Sequence, residues 1–163
     1  MKVIEYNKNK VIIYAEKWAY ERNPKYYNFD NLGGDCTNFA SQCIYEGCKV
    51  MNYTKTTGWY YNNANDKSPS WTGVEYLYKF LINNKGIGPR GIEVSKNDIE
   101  IGDLVQLSFS KNLYSHSLIV VKKESNNLDE IYVASHTFNS YNRKISSYQF
   151  ENVRFVHINE IYK

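Results

Sequence analysis

Gly33-Gly34-Asp35-Cys36-Thr37-Asn38-Phe39-Ala40-Ser41-Gln42-Cys43-Ile44 is the stretch from which the fold of this chain can be read. Paired glycines break regular structure and an aspartate is a favoured helix N-cap. Phe39, Ala40, Cys43 and Ile44 then recur at three- and four-residue steps, so a helix is predicted from about Cys36 to a stop at Gly47. Cys36 therefore falls on the first turn of a helix.

On the N-terminal side, Val11, Tyr14, Ala15, Trp18 and Ala19 form another apolar stripe, ending near Asn23-Pro24 because a residue before proline resists the helical region. On the C-terminal side, residues 48–70 show no sustained period and read as a long surface loop. Ser70 or Thr72 then caps a third helix, with Thr72 and Glu75 at capping-box spacing and Trp71, Val74, Leu77, Tyr78 and Leu81 on its buried face. Gly86 stops that helix, and residues 86–91 read as turns. Beyond them the pattern changes to β-rich runs at 104–109, 117–121, 131–134 and 153–158, separated by turn signals. Helices first and strands afterwards predict an α+β fold, with N-terminal helices packed on one side of an antiparallel sheet and residues 1–163 forming one domain.

Composition narrows the function. Hydrophobic residues at 42% and charged residues at 23% are ordinary for a globular chain, so disorder and low-complexity architectures are excluded. The net charge of +3 comes from scattered residues, which gives no electrostatic footprint for nucleic acid. No apolar run is long enough to span a bilayer. Cys36, Cys43 and Cys48 are odd in number, so at least one thiol is free, and their spacing lacks a second ligand pair for zinc. Neither a metal nor an organic cofactor is expected.

A thiolate at a helix N-terminus is favoured by the positive end of the helix dipole, so Cys36 is the candidate nucleophile, and its own amide is a candidate oxyanion donor. Cys43 reads instead as a core residue. The candidate base is His116, which opens the strand at 117–121, while His157 sits in an apolar alternation and reads as structural. His136 closes the next strand. If those two strands are antiparallel neighbours, His136 lies beside His116 and is the candidate third member that fixes its tautomer. Trp59, Tyr60, Tyr61 and Trp71 are candidates for holding substrate in an aromatic groove; the same residues could equally fold back over the core.

The segments Arg22-Asn23-Pro24, Gly33 to Gln42, Trp59-Tyr60-Tyr61, Ser70-Trp71, Gly102-Asp103-Leu104, Ser115 to Val120 and His136-Thr137 resemble the putative amidase domain of bacterial cell-wall and secreted proteins. The order Asp-Cys, Gly-Asp-Leu, then His is also similar to the wider NlpC/P60 and CHAP group. The resemblance covers about residues 6–158. It implies a papain-like fold and peptidoglycan or related peptide amides as substrate, with Cys36 and His116 as the catalytic pair and His136 as the third residue. Two departures stand out. Asn139 occupies the place where an acidic residue often follows His-Thr, which makes it the alternative third residue, and no Gln precedes Cys36. The second oxyanion donor is therefore sought among Tyr26, Tyr27 and Asn28, with Tyr27 taken.

The reading is a cysteine amidase or peptidase, monomeric, with action at the cell wall or outside the cell by way of an export signal not present in this chain, or else in the cytoplasm. The alternatives are a non-catalytic module that binds wall glycan or peptide, and a transacylase or deamidase using the same cysteine.

Overall fold

Helix α1 spans Lys8–Trp18 in the computed structural model, which describes residues 1–163. Asn7 caps it, its side-chain oxygen accepting from the Lys10 amide at 3.1 Å, and Val11, Tyr14 and Ala15 form its buried stripe as the period predicts. Helix α2 spans Cys36–Cys48, and eleven of its thirteen residues are buried, which makes it the central helix of the molecule.

Gly47 does not stop α2. A side chain at that position would run into the ring of Tyr6, so the glycine is there for close packing, and the helix ends at Lys49 in a left-handed conformation (φ 55°). The predicted third helix is split into α3, Pro69–Thr72, and α4, Val74–Asn83. Gly73 lies between them in an extended conformation and no side chain caps α4, so the Thr72–Glu75 box does not form.

The strands are β1 (Val3–Ile4), β2 (Tyr61–Asn63), β3 (Asp66–Lys67), β4 (Gly88–Val94), β5 (Leu104–Ser110), β6 (Leu113–Lys123), β7 (Ile131–Ser135), β8 (Ser140–Lys144) and β9 (Asn152–Tyr162). Strands β2 and β3 form a separate hairpin, and the other seven form one antiparallel sheet in the order β4-β9-β5-β6-β7-β8, with β1 on the end of β9. β5, β6 and β7 follow one another as the predicted meander; β8 extends it, whereas the fourth predicted run, in β9, lies on the other side of β5 rather than next to β7. β4 is an addition, because Gly88-Pro89-Arg90-Gly91 reads as a turn; it is an edge strand, the place where a sheet tolerates proline.

Alternate residues of the sheet feed two cores. Leu104, Ile119, Ala134 and Val156 face the helices, packing with Phe39, Ile44, Trp71 and Leu81. Val105, Leu118, Val120 and Val133 face the other way, where they meet Ile145 and Tyr148 from the segment that leads to β9. The chain is thus α+β, with the helices on one face. No helix is long and apolar enough to cross a membrane.

The expected aromatic groove is corrected by this packing. Trp59 and Trp71 have no exposed surface, Tyr61 is buried, and only Tyr60 is half-buried, beside Tyr53. Each indole finds its hydrogen-bond acceptor on α2, Trp59 Nε1 donating to Ser41 Oγ and Trp71 Nε1 to Asn38 Oδ1, both at 3.0 Å. With their polar ends satisfied inside, these rings gain more by burial than by facing solvent. The expected surface loop before them is correspondingly tied down by the Asn52–Trp59 bridge and the β2/β3 hairpin.

Candidate active site

The first turn of α2 is held by a polar cluster around Asp35. Its carboxylate does not cap the helix. One oxygen accepts from the Phe29 amide and from Asn38 Nδ2, both at 2.9 Å, and the other faces His136 Nδ1 at 2.5 Å and Arg22 Nε at 3.5 Å. Gly33 and Gly34, at φ 88° and 94°, turn the chain into this position, a backbone conformation that side-chain-bearing residues rarely adopt.

The thiol of Cys36 is directed at the sheet. Its Sγ lies 3.8 Å from Thr37 Oγ1 and against the Ser117 amide, and Thr37 Oγ1 is 2.9 Å from Ser117 Oγ, so α2 begins directly on β6 one residue from His116. Cys36 and His116 share no direct hydrogen bond. Burial pushes the Cys36 thiol up, and the neighbouring Asp35 adds to this, outweighing the pull of the Ser117 and Thr37 donors. The sequence-based expectation of a thiolate stabilised by the helix dipole is therefore reversed: the resting group is a thiol, because desolvation of the anion exceeds what a helix terminus offers.

His116 does not open its strand. It lies within β6 opposite Leu107 of β5, next to a bulge. Burial, helped by the positive charge of Arg143, pushes its pKa down to about 4. The imidazole is therefore neutral at pH 7 and can accept a proton. Its Nε2 is 3.2 Å from Ser135 Oγ, and that hydroxyl is 2.7 Å from the His136 carbonyl. A hydroxyl has one proton. Given to the shorter contact, it leaves Ser135 Oγ as an acceptor for His116 Nε2–H, so the Nδ1 lone pair is free.

The low His116 value carries a stability consequence. A group whose folded pKa lies below its unfolded 6.5 contributes stability that is present above pH 6.5 and is lost as pH falls through about 4. A gap of that size corresponds to about 3 kcal/mol. Urea unfolding of the unsubstituted protein and of His116→Gln at pH 7 and pH 4 should show an acid loss smaller by roughly that amount in the variant; equal losses would contradict it.

His136 is not at His116. Continuing the register in which Ile119 faces Ala134 and Val120 faces Val133, His136 stands opposite Ser117, and so on the helix side of the sheet rather than the His116 side. Its ring stacks on Phe39 with centroids 4.0 Å apart, Nδ1 faces Asp35, and Nε2 donates to the Trp18 carbonyl at 2.7 Å. Both nitrogens are occupied, so His136 cannot orient His116. Asn139 is also elsewhere, its Oδ1 accepting from Arg22 at 2.9 Å. Tyr27 is half-exposed and packs edge-on against Phe29, and its hydroxyl makes no hydrogen bond at the site.

Sequence reading missed Ser135, a residue type too common in strands to stand out, and the cleft in front of His116. That cleft, of about 700 Å³, is lined by Phe109, His116, Thr137, Phe138, Arg143 and Tyr148 among others. Thr137 and Phe138 form its lip in left-handed conformations, φ 55° and 63°, which is strained for a β-branched residue; the Thr137 hydroxyl accepts from the Asp35 amide at 3.3 Å. His157 is structural, as expected: it joins Asp103 of the Gly102-Asp103 motif at 2.8 Å, and Asp103 also accepts from the Ile158 amide, pinning β5 to β9.

Residues 5–159 match the family model described as a putative amidase domain. The chain belongs to that family. It is 32% identical over 131 residues to YhbB, an uncharacterized protein of Bacillus subtilis (strain 168), a match that covers 78% of this chain and 40% of that one, so the chain spans well under half the length of this relative. No solved structure matches. Family membership suggests hydrolysis of an amide bond.

Proposed function

We propose that this amidase-family protein is a cysteine amidase of papain-like type, with Cys36 as nucleophile and His116 as general base. The observation that carries this reading is the seat of the Cys36 thiol at the first turn of α2, against the Ser117 amide; the preceding residue of β6, His116, is a neutral histidine whose ring leaves the other face of the strand. Sγ attacks the amide carbonyl and the C–S bond forms; because the two side chains share no direct hydrogen bond, the thiol proton reaches His116 Nδ1 through an intervening water. The first-turn amides of α2, which have no intrahelical acceptor, face the developing oxyanion. His116 then returns the proton to the leaving amine as the C–N bond breaks; water, losing a proton to His116, adds to the thioester, the C–S bond breaks to release the acid, and the proton returns to Sγ.

Ser135 acts here as a positioning residue in the place expected of His136. Ser135→Ala should lower kcat by roughly ten- to a hundredfold with KM little changed, because orientation of the base counts most in the transition state. Nitrogen NMR of His116 should show the proton leaving Nε2 for a tautomer mixture. An unchanged spectrum and rate would remove Ser135 from the mechanism.

The substrate proposed is a peptide amide of bacterial peptidoglycan, met at the wall or outside the cell; the family match supports an amide as the bond, and the wall peptide rests on the sequence resemblance. A non-catalytic binding module loses its support, since its aromatic groove is core. Mass spectrometry of defined peptidoglycan fragments after incubation tests the reading. Products whose masses sum to substrate plus water mean hydrolysis, transfer to an added amine means transacylation, and intact fragments at every protein concentration would refute the substrate.

A further inference from the structure

Arg143, on β8, is the one permanently charged residue in the cleft that exposes His116, and no carboxylate lines that cleft. Two of the other three arginines find acids, Arg22 meeting Asp30 at 3.0 Å and Arg154 meeting Glu75 at 2.9 Å, while Arg90, outside the cleft, donates to the Lys85 and Gly86 carbonyls. Arg143 has no acidic partner. Its guanidinium is nonetheless held in place, stacked 3.7 Å over the Tyr148 ring, with Nε donating to Ser147 Oγ at 2.8 Å and Nη2 to the Ser147 carbonyl at 3.3 Å. One nitrogen, Nη1, is left without a protein acceptor.

A fixed cation with donors to spare matches a planar carboxylate better than it matches a neutral amide. We propose that Arg143 anchors a free carboxylate of the substrate, so that the site takes amides lying close to an ionised carboxyl group, as in a peptide cut near its C-terminal end. This rests on Cys36 and His116 being the reacting pair. The charge of Arg143 is also felt at His116, where it favours the neutral ring; a carboxylate docked on Arg143 offsets that charge and makes the imidazole a stronger base when substrate is present.

The test separates binding from turnover. Cys36→Ala protein is titrated with N-acetyl-trialanine and with its C-terminal carboxamide, the Arg143 Nε–H and Phe138 amide signals being followed by NMR. The carboxylate form should bind about tenfold or more tightly than the amide, as a charge-assisted hydrogen bond requires, and Arg143→Gln should bind both alike. Arg143→Lys, which keeps the charge and loses the fork, should fall between them. Equal binding of the two compounds where Arg143 is present, binding of neither at millimolar concentration, or a preference that survives Arg143→Gln would each overturn the proposal. The first comparison needs no change at Arg143, so it stands even if that variant fails to fold. Turnover of the same compounds by the unsubstituted protein reports on the catalytic reading alone: a carboxylate preference without turnover leaves the Arg143 site standing and removes the mechanism.

Discussion

Cys36→Ser should lower amide hydrolysis by about three orders of magnitude or more while leaving the fold intact, since removing the nucleophile of a site that acts as a unit costs nearly all its chemistry. The reason lies in the ground state. His116 is a weak neutral base in the resting protein, and an alcohol holds its proton several pKa units more tightly than a thiol, so the base cannot activate a serine at this position. Folding is spared because Cys36 belongs to neither hydrophobic core, and a hydroxyl can accept from the Ser117 amide as sulfur does. Burial of the thiol also changes the labelling expected of it. Alkylation by iodoacetamide near neutral pH should be slow at all three cysteines, not fast at one, and it should quicken at Cys36 first as pH rises, because Cys43 is fully enclosed and the Cys48 thiol is pushed up to about 12. A Cys36→Ser protein that retains turnover within about tenfold would mean that the chemistry belongs to another residue.

How much of this was legible in the sequence depends on whether the signal is local. The stripe of α1, the start of α2 at Cys36 and the meander from β5 to β7 are periodic patterns set by each segment's own side chains, and they could be read directly. β4 could not be, because Gly88-Pro89-Arg90-Gly91 becomes a strand only through its long-range pairing with β9. The role of Gly47 is likewise invisible without Tyr6, which lies forty-one positions earlier in the chain. His136 shows how a correct strand pairing can still mislead. β6 and β7 are neighbours, and His116 and His136 lie near each other along them, but a strand alternates faces at every residue, and an offset of one places the two rings on opposite sides of the sheet. Ser135, one residue earlier, stands opposite Leu118 on the His116 face and reaches the ring diagonally. The acidity of the thiol was misread for a comparable reason: the helix terminus is visible in sequence, whereas the burial that outweighs it is a property of the whole packing.

His136→Ala should therefore act on stability far more than its expected role as an orienter of the base would allow. The ring bridges three parts of the chain: the end of α1 through the Trp18 carbonyl, the start of α2 through Asp35, and the end of β7 through its own backbone. Its removal deletes two buried hydrogen bonds and the stack on Phe39, and it leaves an Asp35 oxygen with only the 3.5 Å contact to Arg22. Breaking a buried polar pair from one side costs about 3–5 kcal/mol, because the remaining partner stays desolvated. That is a large part of the roughly 5–15 kcal/mol by which a domain of ordinary size is stable. Urea unfolding at pH 7 should show this loss in the midpoint, and turnover measured well below the transition should fall mainly as the folded fraction falls. Asn139→Ala is the comparison, since it removes only an exposed bond to Arg22 and should cost well under about 1 kcal/mol. A His136→Ala protein of unchanged stability whose kcat collapses would restore the ring to the reaction and remove the structural role assigned to it.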